Sequence, residues 1–94
     1  RRVLFRSANG LAEIHENWAD LMFIISGEAT LLLGGEVVEP KPDAGGEIRG
    51  SSIKGGEKRV MRQGEVVQVP AGMPHQFLIP KGKRITFFTM KLAK

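Results

Sequence analysis

Two histidines, His15 and His75, supply all the imidazole in this chain of 94 residues, and each stands among residues that suit it to chemistry. Glu13 precedes His15 by two positions in Leu11-Ala-Glu-Ile-His15, so a strand there sets the carboxylate and the imidazole on one face. Asp20 follows five positions later. His75 closes the run Gly64-Glu-Val-Val-Gln-Val-Pro-Ala-Gly-Met-Pro-His75. In that run Val66, Val67 and Val69 fill a strand, and Pro70 ends it because a ring nitrogen cannot donate to a sheet ladder. Gly72 then supplies the backbone freedom for a tight corner. The next strand, His75-Gln-Phe-Leu-Ile79, carries its histidine on a rigid frame, well placed to bind a metal or hold a small ligand. A plainer reading has His75 capping the corner through a backbone carbonyl and Asp20 capping a turn after Trp18.

The run from Gly64 to His75 resembles the second sequence motif of the cupin superfamily, in which a glycine, a proline, a second glycine and a histidine recur at these spacings. Glu13-x-His15, Asp20 and Gly27 resemble the first motif, His-x-His followed by glutamate and glycine. Glu13 stands where the family has its first histidine, Asp20 is one methylene shorter than the family's glutamate, and Ile79 sits where the family often has asparagine. The resemblance spans residues 13 to 79. It implies an all-β fold of the cupin type, a double-stranded β-helix or jelly-roll barrel, with Glu13, His15, Asp20 and His75 around one metal.

Two imidazoles with one or two carboxylates suit a divalent transition metal such as Fe(II), Mn(II), Ni(II) or Zn(II). Dropping either Glu13 or Asp20 leaves two histidines and one carboxylate, the ligand count of many non-haem iron oxygenases. The missing methylene draws Asp20 back by about 1.5 Å, so Glu13 is the better carboxylate on reach and Asp20 the better on family pattern.

The elements that must carry these residues read as short strands punctuated by glycine. Leu11 to His15 is a strand, Asn17-Trp18-Ala19 a turn, and Leu21 to Ser26 a central strand apolar on both faces. Gly27-Glu28 turns the chain into Ala29 to Leu33, and Gly34-Gly35 makes a hairpin into Glu36-Val37-Val38. Residues 39 to 52 read as an irregular excursion rich in proline, glycine and serine. Strands follow at Glu57 to Met61, Glu65 to Val69, His75 to Ile79 and Arg84 to Leu92. The pocket lining is expected from Phe23, Ile25, Val67, Val69, Phe77 and Ile79, with Gln68 and Gln76 as polar contacts. Trp18 is either a lid beside the motif or core, and Arg49 either an anion contact at the mouth or a solvated charge.

Arg1 to Ser7, Arg-Arg-Val-Leu-Phe-Arg-Ser, match the translation of a common sequencing adapter. The expectation is a single domain over residues 8–94 with its native N-terminus missing, although Val3-Leu4-Phe5 also reads as a strand. The formal charge of +4 falls to +1 without Arg1, Arg2 and Arg6. The remaining charges alternate in sign, and with one Trp and no Tyr there is little surface on which bases could stack, which argues against nucleic acid. Cysteine is absent, so there is no disulfide framework and no thiolate chemistry. The longest apolar run, Leu21 to Ile25, is too short to cross a bilayer as a helix, and the expectation is a soluble protein of unassigned compartment. No Gly-Lys precedes Ser or Thr, which excludes a Walker loop, and His15-Glu16 has no second histidine at zincin spacing.

Three functions compete on these grounds: a metal-dependent oxygenase or isomerase acting on a small organic molecule, a non-catalytic ligand-binding or sensory barrel without metal, and a structural protein. The resemblance also implies a homodimer, for which Ile85, Phe87 and Phe88 offer either an interface or core.

Overall fold

The computed structural model describes residues 2–93, and among them the chain is all β, without helix. Its strands are β1 (Arg2–Arg6), β2 (Ala12–His15), β3 (Trp18–Leu33), β4 (Glu36–Val38), β5 (Lys41–Pro42), β6 (Glu47–Gly50), β7 (Ser52–Lys54), β8 (Glu57–Arg62), β9 (Val66–Val69), β10 (His75–Leu78) and β11 (Ile85–Ala93).

The organiser is β3, a single strand of 16 residues where the sequence suggests two. Its first half pairs with β11 and β9, and its second half with β10 and β8. The change of partners falls at Gly27, which has φ 82° and where a Cβ would strike the Arg84 carbonyl oxygen. The chain does not reverse there. The Glu28 N–H donates to the Arg84 carbonyl at 3.1 Å, so pairing continues, and two residues before Gly27 β3 carries an extra residue, Ile25, opposite the step from Thr86 to Phe87. A bulge of this kind inserts one residue and flips the strand's faces. Accordingly Asp20, Met22 and Ile24 point inward before the bulge, and Ala29 and Leu31 after it.

Both halves of β3 feed one core of Met22, Ile24, Ala29, Leu31, Met61, Val67, Val69, Phe77, Ile79, Ile85 and Phe87. The main sheet is antiparallel and runs β1-β11-β3-β10-β2-β6-β5, with β8 and β9 joining β3 and a separate pair β4-β7. It is open at β1 and β5, which corrects the expectation of a closed barrel. The β5 edge is two residues, one of them Pro42, whose ring nitrogen cannot extend a ladder.

Two further expectations change. Gly34-Gly35 does not close a hairpin, because the flanks of β3 are already filled by β8 and β10 and β4 pairs with β7 instead. The segment 39–52 is not irregular: β6 lies along β2 over Ala12↔Gly50 to His15↔Glu47. The adapter-like segment forms β1, paired with β11 from Arg2↔Thr89 to Arg6↔Ile85, and Leu4 packs against the core.

Candidate metal centre

Three neighbouring strands deliver the site. β10 lies between β3 and β2, and His75 stands opposite Glu13 across the β2–β10 ladder. His15 ends β2, and Asp20 lies near the start of β3 on its inward face. The rings of His15 and His75 are 5.0 Å apart, tilted by 51°. Glu13, His15 and His75 each offer a ligand atom, all within 4.8 Å of one another.

The outer nitrogen of each imidazole is occupied. His15 Nδ1 donates to Glu47 Oε1 at 2.7 Å, and His75 Nδ1 to the Met73 carbonyl at 3.3 Å. Partners of this type fix ring orientation and leave Nε2 as the metal-facing atom. The two Nε2 atoms lie 3.2 Å and 3.9 Å from Asp20 Oδ2. An ion bonded at ~2.0–2.2 Å to two imidazoles and a carboxylate holds those atoms about 3–4 Å apart. Those two distances fall in that range for Asp20, and the ligand atoms of Glu13, His15 and His75 lie within 4.8 Å of one another.

Two cations flank the acids. Lys91 Nζ is 3.2 Å from Asp20 Oδ1 and lies over the Trp18 ring, 4.9 Å from its centroid. Trp18 in turn stacks on His15 at 5.6 Å and 23°. Arg49 reaches Glu13, Asp43 and Glu47, each at 3.7 Å.

These neighbours set the protonation states. Burial opposes the charged form of His15, but the hydrogen bond and charge of Asp20, followed by the hydrogen bond of Glu47, outweigh it and raise its pKa above the ordinary value. Burial likewise opposes ionised Asp20, yet its hydrogen bond to His15 and the charge of Lys91 bring its pKa below the ordinary carboxylate range. For His75 burial wins outright: the bond to the Met73 carbonyl offsets it only in part, and its pKa falls. One imidazole is therefore biased toward the cation and the other toward the neutral ligand form.

The cluster opens onto a cavity of about 170 Å³. Along β11 its wall runs Phe87, Thr89, Lys91; along β3, Met22 then Asp20; along β10, Phe77 then His75. Each strand thus presents an apolar residue toward the core and a polar one toward the site.

The structure brings Glu13, His15, Asp20 and His75 together, and it places Phe77 in the cavity wall. It does not place Phe23, Ile25, Gln68 or Ile79 there. Phe23 and Ile25 are exposed on the outer face of β3, because inward Asp20 fixes Met22 and Ile24 as the inward residues before the bulge. Gln68 is exposed between the buried Val67 and Val69. Ile79 is buried in the core beyond the end of β10, its N–H donating to Asn9 Oδ1 at 2.6 Å. Gln76 is buried and donates to the Gly10 carbonyl instead of lining the cavity.

Sequence reasoning missed Glu47 and Lys91. Glu47-Ile-Arg49-Gly does carry the alternation of a strand, obscured by the glycines around it. Lys91 could have been found by stepping two residues at a time from Phe87.

No protein-family profile matches the chain, and no curated protein does. Among solved structures, the polyketide cyclase RemF from Streptomyces resistomycificus is similar, with a TM-score of 0.64 at 18% identity over 97% of this chain. The chain spans 51% of that protein's length. At this identity the likeness concerns fold alone.

Proposed function

We propose that this is a cupin-type double-stranded β-helix domain that binds a divalent transition metal (Fe, Mn, Ni or Zn) through Glu13, His15 and His75. In this reading the bound metal serves an oxygenase or isomerase acting on a small organic molecule. The observation that carries the reading is that Glu13, His15 and His75 offer ligand atoms within 4.8 Å of one another, while Glu47 and the Met73 carbonyl hold the two rings through Nδ1. A divalent ion there would supply Lewis acidity or oxygen activation. The chain's own residues would orient the ligands through Glu47 and Met73 and keep Asp20 ionised beside His15. The likeness to a polyketide cyclase bears on the all-β fold and not on the cupin type or the substrate.

One observation favours the alternative of a metal-free ligand-binding or sensory domain. The acids already have internal counter-ions, Lys91 for Asp20 and Arg49 for Glu13 and Glu47. Metal analysis of the purified protein separates the two readings. Near-stoichiometric transition metal, lost in a His15→Ala, His75→Ala double variant, supports the first. Metal-free protein that melts higher with a small organic molecule supports the second, since ligands selective for the native state raise its stability.

No helix among the described residues is long and apolar enough to cross a membrane. The homodimer implied by the resemblance would rest on Phe88, whose ring lies 6.1 Å from outward Phe23, because Ile85 and Phe87 are consumed by the core.

A further inference from the structure

Lys91 occupies a position that neither a metal centre nor a packed core requires. It is the last of three residues, Phe87, Thr89 and Lys91, that β11 directs into the cavity at strand spacing. Its ammonium lies on the face of Trp18, 4.9 Å from the ring centroid, and 3.2 Å from Asp20 Oδ1. An ammonium carries three donors, and Asp20 is its hydrogen-bonding partner among the described residues. Its side chain remains 45% exposed.

Two properties of the cavity limit what can meet it. The first is size. A cavity near 150 Å³ accepts benzene, so the 170 Å³ here has room for a small organic molecule. Its apolar end is already closed, since Phe77 and Phe87 stack on each other at 5.1 Å and 23° and the Arg6 guanidinium lies 5.1 Å from the Phe77 centroid.

The second is charge. The wall carries three carboxylates, Glu13, Asp20 and Glu47, and three cations, Arg6, Arg49 and Lys91. Asp43 also pairs with Arg49 at 3.7 Å, so a divalent ion on the histidine pair would leave one positive charge in excess. An anionic ligand cancels that excess, whereas a neutral one leaves it uncompensated in a confined space.

We infer that the ligand of this site is a small organic anion with its acidic oxygens on Lys91, and that Lys91 is the residue selecting for the negative charge. The charge argument rests on the metal reading above; the position of Lys91 does not.

The test uses the intact chain after incubation with Zn(II) or Mn(II), with metal content measured on every sample. Trp18, the single tryptophan, lies beside Lys91 and reports binding by fluorescence. The probes are benzoate and its neutral counterpart benzamide. Benzoate is expected to bind at least about tenfold more tightly than benzamide, as for a hydrogen bond to a charged group. Lys91→Met should abolish the preference for benzoate with metal content unchanged, and Lys91→Arg should retain it. Matching circular dichroism of the variants confirms that they fold. Equal binding of benzoate and benzamide, or a preference that survives Lys91→Met, would overturn the inference. Protein that holds no metal yet discriminates through Lys91 would remove the metal reading and leave this one standing.

Discussion

The two walls that meet at the paired imidazoles handle their carboxylates differently. On the β3–β11 wall Asp20 is buried and has a cation of its own, Lys91 at 3.2 Å. On the β2–β6 wall Glu13, Glu47 and Asp43 share Arg49, at 3.7 Å from each and with its side chain 48% exposed. A close, dedicated partner neutralises an acid far better than a distant, solvated and shared one, because screening by water weakens the latter. Negative charge therefore remains uncancelled on the β2–β6 wall. A divalent ion held by His15 and His75, as proposed, would be drawn to that side, toward Glu13.

The comparison breaks most readily at Glu13. Glu13→Gln should weaken metal binding more than about a hundredfold, beyond the usual loss on removing an outer-shell partner, as measured by competition with a chromophoric chelator. Glu47→Gln, which weakens the hydrogen bond that orients His15 and removes one charge from beside Arg49, should cost about 10–100-fold in the same assay. Asp20→Asn should cost about tenfold or less, at the low end of that range. If Asp20→Asn proved more damaging than Glu13→Gln, the roles assigned to the two walls would be reversed.

The smallest effects are in pH dependence, and they sharpen the contrast between the histidines. In metal-free protein His15 has a raised pKa, so its contribution to stability is full below the unfolded value and lost as pH rises through the folded one. His75 has a lowered pKa, so its contribution is full above the unfolded value and lost as pH falls toward the folded one. Melting temperatures measured from about pH 5 to 8.5, a window around the ordinary histidine value, should show opposite trends. Relative to wild type, His15→Gln should be most destabilised at the acid end, and His75→Gln should gain most there. Parallel curves for the two variants would contradict the assigned protonation states.

Much of this was legible in the chain. Glycine and proline punctuation placed most of the strands, and the spacing about His15 and His75 picked out residues that the fold does bring together. What failed did so for identifiable reasons. Gly27 looked like a turn because a glycine with positive φ serves equally in a turn and within a continuing strand, and only the Arg84 carbonyl opposite it decides between them. That error hid the single long β3. Phe23 and Ile25 were placed in the pocket against the parity that Asp20 imposes on the same strand. Glu47 was lost with β6, whose pairing to β2 is a long-range contact that no local pattern reveals.

The most direct test is anomalous diffraction from crystals of the protein soaked in Mn(II) or Zn(II). The account predicts one strong peak within about 2.0–2.2 Å of Nε2 of His15, Nε2 of His75 and a Glu13 oxygen, with Asp20 still on Lys91. No peak between the two imidazoles, or an ion ligated by Asp20 while Glu13 stays on Arg49, would contradict it.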